Sequence, residues 1–402
     1  MIDIKNKADC CGCSACEQIC PQKCILMTED IEGFKYPIVN NQECIKCGMC
    51  IKICPILKQK QEKKLFFQNK ELECYSAINR DDKKRLQSSS GGIFSLIAER
   101  IIADDGVVFG AAMSKDCRSV HHVFVNSVDE MIEIIGSKYV QSDIGDSFIK
   151  AKHELEKGRK VLFSGTPCHI AALKTFLRRD YENLFTIDFI CHGVPSPKVW
   201  RKYINYREKK DNGIANKVYF RRKVDGWKNF SINIVYEGGK EYVMKKDKDL
   251  YMQAFSRDVC LRQSCYQCVF KGTNHASDLT IADFWGVQNI SRHMDDDKGT
   301  SLIIINSHRG KEIFNAMSSS LVSNKEKFDL AIKYNPAYLY SSKPNRKRKQ
   351  FFRYLDRMSF DKLIKKEAPR RMTYKERIVF ITNKIGITQM LLRIYRKLKT
   401  SK

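Results

Sequence analysis

Apolar and polar positions alternate with a changing rhythm along this chain, and each rhythm predicts an element. Residues 93–102 (IFSLIAERII) carry apolar side chains at helical spacing, and residues 107–112 (VVFGAA) follow as a continuous apolar run of strand length. Residues 160–163 form a second such strand, which enters the turn Ser164-Gly165-Thr166-Pro167-Cys168, and a helix is predicted from 169 to 177. Residues 184–190 repeat the arrangement, running into the loop Cys191-His192-Gly193-Val194-Pro195-Ser196-Pro197 and another helix. Strand, turn and helix twice over predict a mainly parallel α/β sheet. Between 217 and 245 the rhythm becomes strict alternation. There, 231–236, the turn Glu237-Gly238-Gly239-Lys240 and 241–244 read as a β-hairpin inserted into that body. A late strand at 301–305 and a helix after Arg309 complete it.

Outside this body the texture is polar or cysteine-rich. Residues 57–72 are lysine-rich around Leu65-Phe66-Phe67 and read as a linker, and residues 343–402 form a basic tail. The expected organisation is therefore a cysteine module at 1–60, α/β segments at 73–150 and 155–335, and the tail at 343–402. The length of 402 residues allows ample core, and 43% hydrophobic with 10% aromatic residues excludes wholesale disorder. Uncharged stretches fall short of the roughly 18–20 apolar residues of a spanning helix. The start, Met1-Ile2-Asp3-Ile4-Lys5, lacks the apolar segment of a secretory signal. The cytoplasm is the default compartment.

The 17 cysteines carry the chemistry, and ten lie before residue 55. An odd number without an export signal argues against a disulfide framework. Cys10, Cys13, Cys16 and Cys20-Pro21 make C-x2-C-x2-C-x3-C-P, and Cys44, Cys47, Cys50 and Cys54-Pro55 make it again. In two-cluster ferredoxins the fourth cysteine of each octad ligates the other cluster. Cys10, Cys13, Cys16 and Cys54 are therefore expected to hold one 4Fe–4S cluster, and Cys44, Cys47, Cys50 and Cys20 the other. Zinc is the competing reading, but zinc knots use separated C-x2-C pairs or histidine, and residues 1–60 contain no histidine. Cys11 and Cys24 fall outside the pattern and read as plain thiols.

The later cysteines are sparser. Cys168 and Cys191 each follow a strand, where ligands of parallel sheets bind, and Cys260-x4-Cys265-x2-Cys268 comes farther on. A third cluster on Cys168, Cys191, Cys265 and Cys268, with Cys260 as substitute, competes with a lone nucleophile Cys168 beside His169 or His192, and with inert buried thiols. Ser88-Ser89-Ser90-Gly91-Gly92 runs into the helix at 93. Small residues and free amides at a helix N-terminus suit a phosphate, although Ser and Gly are also ordinary cap and loop residues.

These motifs together resemble the beta subunit of coenzyme F-420 hydrogenase and dehydrogenase, including its stand-alone bacterial relatives. The resemblance rests on the doubled octad, SSSGG at 88–92, GSKYVQSD at 136–143, GTPCHIAALK at 165–174, DFICHGVPSP at 188–197 and SCYQCVFKGTNHASDLTIADFWG at 264–286, and covers about residues 1–310. The chain is similar too to the fold of plant 7-hydroxymethyl chlorophyll a reductase, so the fold leaves the substrate open. The resemblance implies an α+β two-cluster ferredoxin domain fused to an α/β flavin-binding body, and an oxidoreductase carrying FAD beside its clusters. It makes Ser88, Ser89, Ser90, Gly91 and Gly92 an FAD phosphate site, and Lys138, Tyr139 and Gln141 flavin or pyrophosphate contacts. Thr166 and Pro167 then approach the flavin, and Cys168, Cys191, Cys265 and Cys268 hold the third cluster. The family often has Gly where Ala282 precedes Asp283 here.

Flavin exchanges two electrons as hydride and releases them singly, while each cubane carries one. The expected function is a flavin-dependent reductase or dehydrogenase linking ferredoxin, or another one-electron carrier, to a small-molecule hydride donor or acceptor. A non-catalytic relay subunit that docks on a catalytic partner is the alternative. A deazaflavin is implied by the family name alone. Residues 343–402 hold 20 Lys or Arg against 4 Asp or Glu, of a chain total of +26. They are expected to form a solvated helical appendage, or to dock on an acidic ferredoxin or on an anionic membrane face. Nucleic acid is not an expected partner, because this charge lies outside any recognisable binding module.

Overall fold

The computed structural model describes residues 1–62 and 72–370. Their strands are β1 (Ile25–Glu29), β2 (Lys35–Val39), β3 (Cys74–Asn79), β4 (Val107–Met113), β5 (Val120–Val125), β6 (Ser142–Asp143) and β7 (Val161–Ser164). After them come β8 (Leu184–Phe189), β9 (Ala215–Arg222), β10 (Ser231–Tyr236), β11 (Glu241–Lys245), β12 (Leu279–Asp283), β13 (Ser301–Ile305) and β14 (Leu321–Glu326).

Nine strands form one sheet in the order β14-β3-β13-β12-β8-β7-β4-β5-β6. The block β12-β8-β7-β4 is parallel, as the strand–turn–helix rhythm predicts, and β5 pairs parallel with β6. The other four pairings are antiparallel. The sheet is therefore mixed rather than mainly parallel. The departure has two sources: β4–β5 and β12–β13 are joined without an α-helix and return antiparallel, and β3 inserts between β13 and β14. The segments 73–150 and 155–335 consequently share this one sheet.

Side-chain alternation explains why the centre is buried on both faces. Val107, Phe109, Val161 and Phe163 face one way, with Phe148, Ile170 and Leu173 from the helices Ser147–Glu156 and Pro167–Leu177. Val108, Leu162, Ile187 and Ile303 face the other, against Ile97 and Ile101 of Ile93–Ala103 and Phe314 of His308–Ala316. The helix Pro167–Leu177 begins two residues earlier than expected. The Thr166 hydroxyl accepts from the His169 amide, and proline suits the first helical turn. A separate three-stranded sheet, β11-β10-β9, is antiparallel throughout.

The cysteine module and the tail are both tied to this body. Residues 55–62 lie in the helix Pro55–Glu62, which takes up the start of the expected linker, and the remainder up to 71 lies outside the described residues. In the expected tail, the helices Arg348–Leu355 and Phe360–Glu367 bury Phe351, Leu355, Phe360, Leu363 and Ile364 in a core shared with Trp200, Tyr203 and Tyr251. Arg348 holds Glu32 of the β1–β2 turn through two hydrogen bonds of 2.8 and 2.6 Å. The first part of the tail is thus structural rather than an appendage. The basic amphipathic stretch around Ile378–Lys397 lies outside the described residues. Among the described residues no helix is long and apolar enough to cross a membrane.

Candidate functional site

The doubled octad has a doubled backbone. Gly12 and Lys46, at matching positions, have φ of 72° and 54°, and Ser14 and Gly48, also matching, have φ of 58° and 73°. Each pair precedes one helical turn, Ala15–Gln18 or Met49–Lys52, and then the Cys-Pro step. Left-handed conformation at Ser14 and Lys46 costs roughly 1 kcal/mol or more each, so the surrounding fold dictates this path. It brings thiols of both octads close together. Burial, then the nearby Cys10 and Cys54 thiols, push the Cys16 thiol up, and Cys13 feels Cys16 and Cys10. Cys16, Cys20, Cys44 and Cys54 all pack against the small core that holds Cys50, and Cys47 is exposed. Cys24 is part of the same core, 3.4 Å from Cys20. Among the described residues no three Cys, His, Asp or Glu converge as ligands of a single ion must. A cubane's four thiolates bind four different irons and have no such requirement.

The later thiols meet as well. Cys168, Cys191, Cys265 and Cys268 line one small cavity of about 40 Å³. Strand β7 delivers Cys168, strand β8 delivers Cys191, and the turn Gln263–Gln267 delivers Cys265 and, just after it, Cys268. Gly193, at φ 143°, allows the Cys191 loop to close over this turn, because a Cβ there would lie 3.2 Å from the Cys265 Cβ. Cys260 is excluded from the set: it is buried beside Trp200 and Tyr251 in another core. The nucleophile reading finds no support in the contacts. The Cys168 thiol meets the Thr166 hydroxyl at 3.0 Å and the Cys11 thiol, His169 packs edge-on to His122, and His192 pairs with Asp258 at 2.6 Å.

Cys11, read from sequence as a plain thiol, stands at the junction. It lines the same small cavity, and its thiol lies beside those of both Cys13 of the module and Cys168 of the body. Its neighbour Gly12 is pressed by the body, since a Cβ there would lie 2.7 Å from Gln141 Nε2 and 2.8 Å from Arg262 Nη1.

A far larger cleft, of about 600 Å³, opens beside this cavity. Ser88, Ser89, Ser90 and Gly92 line it at the N-terminus of Ile93–Ala103, with Lys138, Tyr139 and Thr166. Ser89 accepts hydrogen bonds from the Ser137 amide and hydroxyl at 2.7 and 2.9 Å, joining the two expected loops. Lys138 donates to the carbonyls of Glu133 and Ile135, and burial lowers its pKa to about 7. Tyr139 stacks on Phe255 with ring centres 4.9 Å apart.

Three expected residues lie elsewhere. Gly91 donates its amide to Ser301 and serves the turn itself. Gln141 points to the cysteine module, donating to the Cys11 carbonyl at 3.0 Å. Pro167 borders the thiol cavity instead of the cleft.

Sequence reading missed most of the opposite wall. Arg221 of β9 is ion-paired to Asp283, which also accepts from Trp227 Nε1 at 2.9 Å. Trp285 stacks on Trp227 at 4.9 Å, and Lys246 lies 5.2 Å from the Trp285 ring centre. Phe284 is core, and Ala282 borders the cleft. The buried imidazoles His122 and His169 complete the wall, and burial takes the His122 pKa down to about 4. The motif 264–286 was a signal for Asp283 and Trp285, whereas nothing in sequence marked Arg221 or Lys246.

The donor sets suit the groups that the resemblance implies. Four thiols around one cavity match a cubane. A cleft of this volume with aromatic walls, a helix N-terminus and an excess of Lys138, Arg221 and Lys246 over Asp283 matches an anionic dinucleotide.

Residues 158–329 match the family described as the C terminus of the coenzyme F420 hydrogenase/dehydrogenase beta subunit. Over this span the chain is similar to that family. The family segment supplies Cys168, Cys191, Cys265 and Cys268, and one wall of the cleft, while the serine-glycine turn and the cysteine module precede it. A solved chain from the F420-reducing NiFe hydrogenase complex of Methanosarcina barkeri is similar at 16% identity and a TM-score of 0.47, covering 69% of this chain and 91% of that one. No curated protein matches.

Proposed function

We propose that this protein is an iron–sulfur flavoprotein oxidoreductase that passes electrons between ferredoxin-type clusters and a two-electron substrate through FAD. One observation carries the reading: residues 191–194 and Ala337 line both the four-thiol cavity and the large cleft. A cluster ligated by Cys191 would therefore abut any flavin in the cleft, with only this loop between them. The match to the beta-subunit family over 158–329 supports a redox role.

In this reading Cys10, Cys13, Cys16 and Cys54 hold one cluster, Cys44, Cys47, Cys50 and Cys20 a second, and the four later thiols a third. FAD, when bound, supplies the exchange of hydride for single electrons. The chain's own residues bind and shield. Ser88 to Ser90 and Gly92 offer a helix N-terminus to phosphate, Lys138 offers a cation, and Tyr139, Phe255 and Trp285 offer ring faces. A ferredoxin-like carrier is the proposed one-electron partner.

The test uses full-length protein purified without oxygen. Bound FAD that is reduced by ferredoxin, then reoxidised by a member of a panel of deazaflavin, nicotinamides and nucleotide-linked sugars, is the expected result. Bound FAD that no small acceptor reoxidises would favour a relay role, and absence of FAD would overturn the reading.

A further inference from the structure

Four Arg and Lys residues are buried as whole residues among the described ones: Arg85, Arg207, Arg262 and Lys271. Arg85 holds Asp296 at 2.5 Å and Arg207 holds Asp211. Arg262 and Lys271 have no carboxylate within ion-pair distance among the described residues, although they are 0% and 5% exposed. Arg262 donates to the carbonyls of Cys10 at 2.7 Å and Lys35 at 2.8 Å and to Gln141 Oε1 at 3.1 Å, and its Nη2 lies 3.5 Å from Cys10 Sγ. Its guanidinium lies over the Tyr36 ring, 4.3 Å from the centre. Lys271 donates to the carbonyls of Cys191 at 2.5 Å and Ala337 at 2.6 Å. Both border the cavity of Cys168, Cys191, Cys265 and Cys268.

A buried charge without an opposite charge is expensive, and hydrogen bonds to neutral carbonyls compensate only part of that cost. The missing counter-charge has an evident source. A cubane held by four thiolates is net negative, and it becomes more so on taking up an electron. A nearby fixed cation, or a donor to a ligand sulfur, stabilises the reduced form more and raises the potential.

We propose that Arg262 and Lys271 are the counter-ions of the iron–sulfur centres, Arg262 between the Cys10 set and the four-thiol set and Lys271 at the four-thiol set alone, and that they raise the potentials of those centres. The inference rests on the iron–sulfur reading of those thiols. Both are positioning residues that act through the cluster, and the four-thiol centre becomes the acceptor that draws electrons from the module toward the cleft.

The experiment is a redox titration of full-length, iron-loaded protein, followed by electron paramagnetic resonance, for wild type, Lys271→Gln, Lys271→Arg, Arg262→Gln and Arg262→Lys. Lys271→Gln should lower one cluster's midpoint so that its reduction equilibrium falls at least tenfold, about 59 mV for a one-electron couple. Lys271→Arg should restore it, and Arg262→Gln should lower two midpoints. Iron lost from Lys271→Gln but kept in Lys271→Arg also supports the proposal. Unchanged midpoints in both Lys271→Gln and Arg262→Gln, with full iron, overturn it. Failure of the underlying reading looks different: Cys265→Ser would then bind as much iron as wild type.

Discussion

The helices Arg348–Leu355 and Phe360–Glu367 give the sharpest stability prediction, because the same residues read as a free basic tail from sequence. Phe351, Leu355, Phe360, Leu363 and Ile364 are all buried, and Phe360 meets Tyr203 at 5.4 Å. At about 1.5–3 kcal/mol for each fully buried side chain, these five contribute on the order of 10 kcal/mol. A whole domain has only about 5–15 kcal/mol of net stability. Removing residues 343–402 should therefore abolish cooperative folding. Removing only 371–402 should leave the melting temperature within a few degrees of wild type. Single changes grade the effect: Leu363→Ala should cost about 2–5 kcal/mol, and Phe351→Ala about 3–5. Thermal melting followed by circular dichroism, with soluble yield and iron content, reads all four. A chain ending at 342 that melts cooperatively at the wild-type temperature would refute the packing argument.

Further outcomes follow from particular contacts. Gly12→Ala forces a side chain into the left-handed region and against Gln141 and Arg262, so melting temperature and iron content should both fall, while Gly48→Ala, with open space around it, should show the smaller loss. Asp283→Ala leaves Arg221 buried without its partner and should cost about 3–5 kcal/mol, whereas the double change Arg221→Met with Asp283→Leu should cost less than the sum in chemical denaturation. Lys138 binds its proton more weakly when folded, with a pKa of about 7, than the unfolded chain does. Its cost to stability is full below about pH 7 and fades as pH rises toward the ordinary lysine range near 10.4, so Lys138→Met should raise the melting temperature more at pH 6 than at pH 10. The nine Lys or Arg and one Glu of residues 371–402 should aid docking on an acidic ferredoxin or an anionic vesicle. That binding should weaken without them, and as salt rises from about 50 to 300 mM.

What the sequence revealed followed from local signals. The doubled octad reappears as a doubled backbone path, with positive φ at matching positions, because residue spacing within a turn is a local property. The parallel block was readable because β4 opens on an apolar run and β7 and β8 each run through a turn into a helix. The insertion of β3 between β13 and β14 was not, because pairing across more than two hundred residues leaves no periodic trace. The cleft was half readable: its serine-glycine loop and Lys138 sit in motifs, but Arg221 lies on β9 and Lys246 just past β11, on alternating segments that look like any solvent-facing sheet. Gln141 shows the converse failure, since its motif neighbours line the cleft while its own side chain turns to the Cys11 carbonyl. The buried core of 348–364 was hidden by charge, because lysines and arginines interleave with its apolar face.

The central claim, a cluster at the four later thiols beside a flavin cleft, is tested most directly by iron and flavin reduction measured on the same full-length samples. Wild type and Cys260→Ser should each hold about twelve irons per chain and Cys265→Ser about eight, at roughly four per cubane. Ferredoxin should reduce bound FAD at comparable rates in wild type and Cys260→Ser, and far more slowly in Cys265→Ser. Equal iron in all three, with equal rates of flavin reduction, would contradict the account.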